Sequence, residues 1–237
     1  MHIKNIISAI IIAGWASQAL AEDAIKPWKG EAELGIVSTS GNTEIQSTKA
    51  RAGIVNEREE WRHTGKIEAL NTSDATRTTA ERYLLSGKSD YKFGNFDYAL
   101  GMVNYESDRF TGYSYRVSET VGYGHRIVNQ PDLTLGLEIG PGARQSKLST
   151  GASESEFIVR VAGNAEWKIS ETAVFTENLS AESGEVSTLT RSVTALSAQL
   201  VGAFAMKLSF TAQHTSRVPV SVKKLDTVTA VTLVYGF

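Results

Sequence analysis

From Trp28 to its last residue, Phe237, the chain alternates apolar and polar positions, with breaks at Gly, Asn, Asp, Pro and Ser. A period of two marks a strand whose two faces meet different surroundings, and no segment carries the 3.6-residue stripe of a helix. The end of the chain shows it best. Leu225, Thr227, Thr229, Val231, Leu233, Tyr235 and Phe237 fall on one face of a closing strand. Chain ends are usually polar and frayed, so an ending this apolar suits a strand whose outer face meets lipid. A soluble edge or sandwich strand has the same period, and the remaining segments must separate the two.

Those segments repeat the pattern. Trp28, Ala32, Leu34 and Ile36 oppose Lys29, Glu31 and Glu33 before a turn at Ser40-Gly41-Asn42. Next, Thr48, Ala50, Ala52 and Ile54 oppose Lys49 and Arg51, and then Ile67 and Ala69 oppose Arg62, Lys66 and Glu68. The fourth segment sets Tyr83, Leu85 and Tyr91 against Arg82, Lys88 and Asp90, and the fifth alternates Phe96, Tyr98, Leu100 and Met102 with Asp97, Ala99 and Gly101. The sixth puts Tyr113, Tyr115, Val117, Val121 and Tyr123 on one side, and Arg116, Ser118, Gly122, Gly124 and Arg126 on the other. In the seventh, Leu137 and Ile139 oppose Glu138, and Gly140-Pro141-Gly142 reads as a bend or the end of pairing, followed by a loop to about Ser155. The eighth sets Phe157, Val159, Val161 and Trp167 against Arg160, Asn164 and Glu166. The ninth, near 173–181, is less regular; the tenth covers about 188–201, and the eleventh alternates Leu208, Phe210 and Ala212 with Lys207, Ser209 and Gln213.

About twelve strands of roughly 9–11 residues, joined by alternately short and longer connections, are the signature of a transmembrane antiparallel β-barrel. An even strand count puts both mature termini on one side, expected to be periplasmic. The aromatics agree. Trp28, Trp61, Tyr91, Phe96, Tyr123, Trp167, Phe175 and Tyr235 fall near that end, and Tyr105, Phe110, Tyr113, Tyr115 and Phe157 near the other, as two interfacial girdles. A sandwich core would place large aromatics at mid-strand instead. Glu119 and Glu177 are misfits, carboxylates with the parity of lipid-facing residues, and a local β-bulge at each would turn them inward.

The first residues set the compartment. Lys4, the apolar stretch Ile6–Gly14 and Ala19-Leu20-Ala21 form a secretory signal peptide with cleavage expected after Ala21, and the apolar stretch is too short for an anchor helix. The expected organisation is thus a leader at 1–21, a short periplasmic segment at 22–27 and an outer-membrane barrel at 28–237. The formal charge of −2 gives no basic surplus, so nucleic acid is not an expected partner. The absence of cysteine removes disulfides, thiolate metal sites and cysteine nucleophiles.

Several motifs then occur in order: S-G-N-T at Ser40–Thr43, E-R-Y-L-L-S-G-K-S-D-Y-K-F at Glu81–Phe93 and Y-E-S-D-R-F-T-G-Y at Tyr105–Tyr113. V-G-Y-G at Val121–Gly124, L-E-I-G-P-G at Leu137–Gly142 and the closing L-V-Y-G-F complete the set. Together they resemble the salt-induced outer-membrane protein family, a bacterial domain of unknown function, over essentially the whole mature chain. The resemblance implies an outer-membrane barrel and supplies no activity or catalytic residue. Separately, the closing strand with Tyr235 and Phe237 resembles the C-terminal signature by which bacterial outer-membrane barrels are recognised, which makes these two residues the expected assembly signal for the outer-membrane assembly machinery.

No catalytic set is legible. A lipase would need a serine and a histidine within hydrogen-bond reach and a third polar group to orient them. His63, His125 and His214 lie on different segments, with only His214 at a suitable rim. No H-x-x-H spacing indicates a metal, and nothing calls for a cofactor. Asp108-Arg109 reads as a loop ion pair. The inner face holds more information: Lys49, Arg51, Lys66, Glu68, Arg82, Lys88, Arg116, Glu138 and Arg160, with Glu31, should point inward as pore-lining candidates. Twelve strands lie between a filled eight-stranded barrel and an open sixteen-stranded one, so these side chains either line a narrow path for a small solute or ion or mesh into a structural plug. The expected partners are outer-membrane lipids and lipopolysaccharide. A lipid-modifying enzyme with rim residues and a soluble periplasmic β-protein are the alternatives.

Overall fold

A computed structural model describes residues 27–40, 46–74, 77–108, 113–218 and 222–237. Residues 1–26, where a leader and a short periplasmic segment are expected, Gly41 and Asn42 of the first expected turn, and Arg109 and Phe110 lie outside them. Among the described residues there are twelve strands: β1 (Trp28–Ser40), β2 (Gln46–Glu57), β3 (Trp61–Asp74), β4 (Arg77–Lys92), β5 (Asp97–Asp108) and β6 (Tyr113–Asn129), then β7 (Leu133–Leu148), β8 (Ser153–Lys168), β9 (Ala173–Gly184), β10 (Thr188–Val201), β11 (Phe204–Thr215) and β12 (Leu225–Gly236). Each pairs antiparallel with its chain neighbours, and β12 returns to β1 to close the barrel. Closure leaves no unpaired edge, the condition for spanning lipid with strands.

The seam is completed at the last residue. The Gly30 N–H donates to the Phe237 carbonyl at 2.8 Å, and the Phe237 N–H donates to the Gly30 carbonyl at 2.9 Å. A Cβ on Gly30 would lie 2.3 Å from two Phe237 ring carbons, so the glycine makes room for that ring. Tyr235 stacks beside it, with ring centroids 6.1 Å apart.

The outer face is apolar throughout its depth. Leu34 is 66% exposed, Ile36 68%, Val121 64% and Phe157 65%, a surface that only lipid can cover around a whole barrel. Trp61 against Tyr91 and Phe204 against Tyr235 mark the girdle at the end carrying the termini, with centroids 5.0 and 5.2 Å apart. Tyr105 and Tyr115 stack near the opposite rim.

Four local expectations need correction. On β5 the apolar set faces inward: Tyr98 and Leu100 are buried in the lumen, while Ala99, Val103 and Tyr105 face out. Tyr98 fits because Gly124 lies beside it, where a Cβ would approach the ring to 2.2 Å. Tyr113 also faces inward rather than joining the girdle, because the register shifts between Tyr113 and Tyr115. Gly140-Pro141-Gly142 does not end pairing, since β7 continues past it to Leu148 and stays in register with β8. A Cβ on Gly140 would meet the Val121 carbonyl at 2.0 Å, so the glycine permits a close backbone approach there. Finally, no bulge forms at Glu119 or Glu177, and the registers run through both positions unbroken. Glu177 stays on the outer face and accepts hydrogen bonds from the Ser192 and Thr194 hydroxyls at 2.7 and 2.5 Å. Glu119 is exposed on that face with no hydrogen bond or ion pair among the described residues.

Two predictions follow from the wall. Deleting Phe237, or replacing Gly30 with valine, removes or displaces the seam contacts, and the heat-modifiable folded fraction on gels should fall sharply. Glu119→Leu should raise stability in urea unfolding from lipid by about 1 kcal/mol, since lipid-facing carboxylates cost less than the ~2–4 kcal/mol of basic residues. Glu177→Leu should gain less, because two hydroxyls lose their acceptor.

Candidate functional site: the charged lumen

Alternation that makes the outer wall apolar sends the charged positions inward, where each needs a partner in a poorly hydrated space. On the β4–β8 side Glu138 is the hub. It accepts from Lys88 Nζ, from Arg160 Nη1 at 2.9 Å and from the Tyr98 hydroxyl at 2.9 Å. Lys88 also lies 3.1 Å from Asp90, which Arg62 holds at 2.6 Å. The Tyr98 ring lies beneath both cations, 5.5 Å from the Arg62 guanidinium carbon and 5.2 Å from Lys88 Nζ. On the opposite wall Glu33 bridges Arg51 at 2.5 Å and Lys207 at 2.7 Å, and Arg51 also reaches Glu31 at 3.2 Å.

Away from the termini the lumen fills. Arg82 pairs with Glu106 at 2.6 Å on its own side and donates to Gln213 at 3.1 Å, although β4 and β11 are five strands apart around the ring. Val37, Leu70 and Ala230 make an apolar knot at the same end. Arg144, 1% exposed, donates to Glu156 at 2.7 Å and to the Ser187 carbonyl at 2.5 Å, and Glu156 accepts from the Val186 N–H at 2.8 Å. Those contacts draw the β9–β10 turn inward. The guanidinium of Arg116 lies over the Tyr113 ring at 4.3 Å, and two of its buried nitrogens lack a protein acceptor. Nearer the termini the lumen is open: Lys66 on β3 and Asn178 on β9, six strands apart, are both exposed on inward-facing positions. The interior is therefore a vestibule open toward the termini and closed by side chains beyond.

The histidines lie outside this space. His63 Nδ1 is 2.9 Å from the Ser89 hydroxyl, beneath Trp61, and His125 Nδ1 is 2.7 Å from Asp97, which also accepts from the Tyr123 hydroxyl at 2.5 Å. The first pair has a serine and no orienting carboxylate among the described residues; the second has the carboxylate and no serine. His214 is exposed on the outer face between Thr190 and Leu225. No group of three metal-ligating side chains occurs among the described residues.

Residues 32–237 match a family model described as "Protein of unknown function, DUF481". The chain belongs to this family. A relative from Escherichia coli (strain K12), "Uncharacterized protein YdiY", is 29% identical over 235 residues, covering 92% of each chain. Among solved structures, a NanC porin matches 86% of this chain and 98% of its own at 10% identity with a TM-score of 0.58. A KdgM porin matches 87% and 99% at 12% identity and 0.51, and the translocator domain of autotransporter NalP from Neisseria meningitidis matches 91% and 90% at 12% and 0.52. At such identities the likeness is one of fold, that of outer-membrane barrels.

In this family member the described charged residues of the motifs, with several of their glycines, are lumen residues, and most of the apolar ones between them face out. Arg82, Lys88 and Asp90, then Glu106 and Asp108, then Gly122 and Gly124, then Glu138 and Gly140 all face inward. The nine candidates, Lys49, Arg51, Lys66, Glu68, Arg82, Lys88, Arg116, Glu138 and Arg160, face the lumen but do not share one surface. Arg51, Lys66 and Lys88 border the vestibule. Lys49 pairs with Glu68 at 3.1 Å, and Lys49, Arg82 and Arg116 lie in the closed part, while Glu138 and Arg160 are packed into the wall. The hub tyrosine Tyr98 and the clamp Arg144 were not legible as site residues. Tyr98 read as one of an apolar set, and Arg144 fell in a segment read as loop. The neighbouring Gly124 was the available signal for Tyr98.

Glu138→Leu should strand Arg160 and the Tyr98 hydroxyl and leave Lys88 with Asp90 alone, lowering stability by about 3–5 kcal/mol. Tyr98→Phe should cost about 1 kcal/mol. Urea midpoints in micelles distinguish the two.

Proposed function

We propose that this barrel is a narrow passive path for small solutes or ions across the outer membrane, with its constriction at the level of Arg82. The leader directs export, and the assembly machinery takes up the Tyr235–Phe237 end. Both mature termini stay periplasmic, so the vestibule opens to the periplasm and the closed end meets the lipopolysaccharide leaflet. The observation that carries the reading is the Arg82–Gln213 hydrogen bond across the lumen. Among the described residues, side-chain contacts rather than an inserted segment span the space between opposite walls. Two nitrogens of Arg116 have no acceptor among the described residues and Arg82 Nε has only Asp108 at 3.6 Å, which argues against a finished plug, in which buried donors are paired. The matched porins are channels by name, which agrees with the reading.

A second reading is an envelope-structural barrel linked to salt stress, and the filling of the lumen beyond the vestibule favours it. Planar-bilayer recording separates the two. The path reading expects small discrete conductance steps from the wild type and larger ones from the Arg82→Ala/Gln213→Ala double variant. Flat traces from both, with folded protein verified on gels, would leave only the structural barrel.

A further inference from the structure

We propose that Lys66 is the centre of a binding site for small oxyanions, carboxylate or phosphate, on the vestibule wall. The proposal rests on the passive-path reading for its biological use but not for the binding itself.

The cations that surround Lys66 on the vestibule wall are already engaged. Arg51 is held by Glu33 and Glu31, Lys207 by Glu33, Lys88 by Asp90 and Glu138, and Arg62 by Asp90. Lys66 has no carboxylate within ion-pair distance among the described residues and is solvent-exposed, although it faces the inside of the barrel. An ammonium of this kind is a charge that the protein has not neutralised. The lumen around it is walled by low-dielectric protein, so attraction for an anion is screened less than at the outer surface.

The register shows why there is room. Directly beside Lys66 are Gly53 on β2 and Ser86 on β4, one without a side chain and one with a short hydroxyl. Arg51 and Lys88 are the diagonal neighbours on the same inner face, so the ground around the ammonium is positive. The carboxylate lying nearest over Gly53 is that of Glu31, and Arg51 already holds it. An oxyanion at Lys66 would accept from the ammonium and from the Ser86 hydroxyl. The opposite wall at Asn178 offers an amide rather than a competing charge. A cation at the same place would be repelled by Lys66. The site therefore favours anions over cations at that level of the path.

Isothermal titration of the full-length barrel in micelles with inorganic phosphate and with succinate tests the site directly. Wild type should bind both, and Lys66→Gln should bind on the order of tenfold more weakly, the loss of one charge-assisted hydrogen bond. Lys147→Gln, a change at an exposed strand end on the outer face, should bind as wild type does. Reversal potentials across a salt gradient should show anion preference that Lys66→Glu shifts toward cations. Lys66 makes no ion pair, so both variants should fold, with gel heat-modifiability as the check. Equal binding by wild type and Lys66→Gln, or no binding by wild type, overturns the site. Binding that survives alongside flat conductance traces retains the site and removes only the path.

Discussion

Closure of the β1–β12 seam is the constraint on which everything else depends. In hydrocarbon an unpaired strand edge has nowhere to direct its N–H and carbonyl groups, so the sheet must meet itself. Once it does, every strand acquires an inside and an outside, and a period of two sorts its residues between lipid and lumen. Glu119 and Glu177 aside, most charged positions along the strands then point into the lumen. Their mutual neutralisation is the second requirement, and the hub at Glu138 with the Glu33 bridge shows how it is met. The Glu33 bridge crosses the seam itself, opposite Val234 on β12, while the Glu138 hub lies on the far side of the ring, and both exist only because that seam is closed.

The fold was largely legible because alternation is a local property and outward residues need no particular partner. The strand count, the closing pair and the inward side of most strands could be read from residue type alone. What escaped depends on contacts distant in sequence. Tyr98 and Leu100 look like outer-face residues until Gly124, on the next strand, is seen to leave space inside. Tyr113 changes sides through a register shift that composition does not encode. The Gly-Pro-Gly segment resembles a terminator because glycine and proline usually act as one. Here the close approach of β6 and β7 requires the glycine instead.

The same division applies to the lumen. Which side chains face inward follows from parity, but which of them share a space does not. Arg51 and Lys66 border open volume, while Lys49, two residues from Arg51, is buried against Glu68. Side-chain length and the position of the apolar knot of Val37, Leu70 and Ala230 set where the vestibule stops. Both are properties of the ring as a whole, and no single strand reveals them.

The two carboxylate arrangements also differ in when they can form. Glu177 finds its donors on β10, the next strand of the same hairpin, so this charge can enter the bilayer already solvated by Ser192 and Thr194. Glu138 takes Arg160 from β8, the next strand of its own hairpin, and Tyr98 and Lys88 from β5 and β4, two and three strands away. Its set of donors is complete only once those strands stand together. The chain thus carries one carboxylate whose donors are all local and another whose donors come from both sides of its strand. An intermediate with the β7–β8 hairpin inserted ahead of β4 and β5 would hold Glu138 with Arg160 alone, so its network is complete only when those strands have joined.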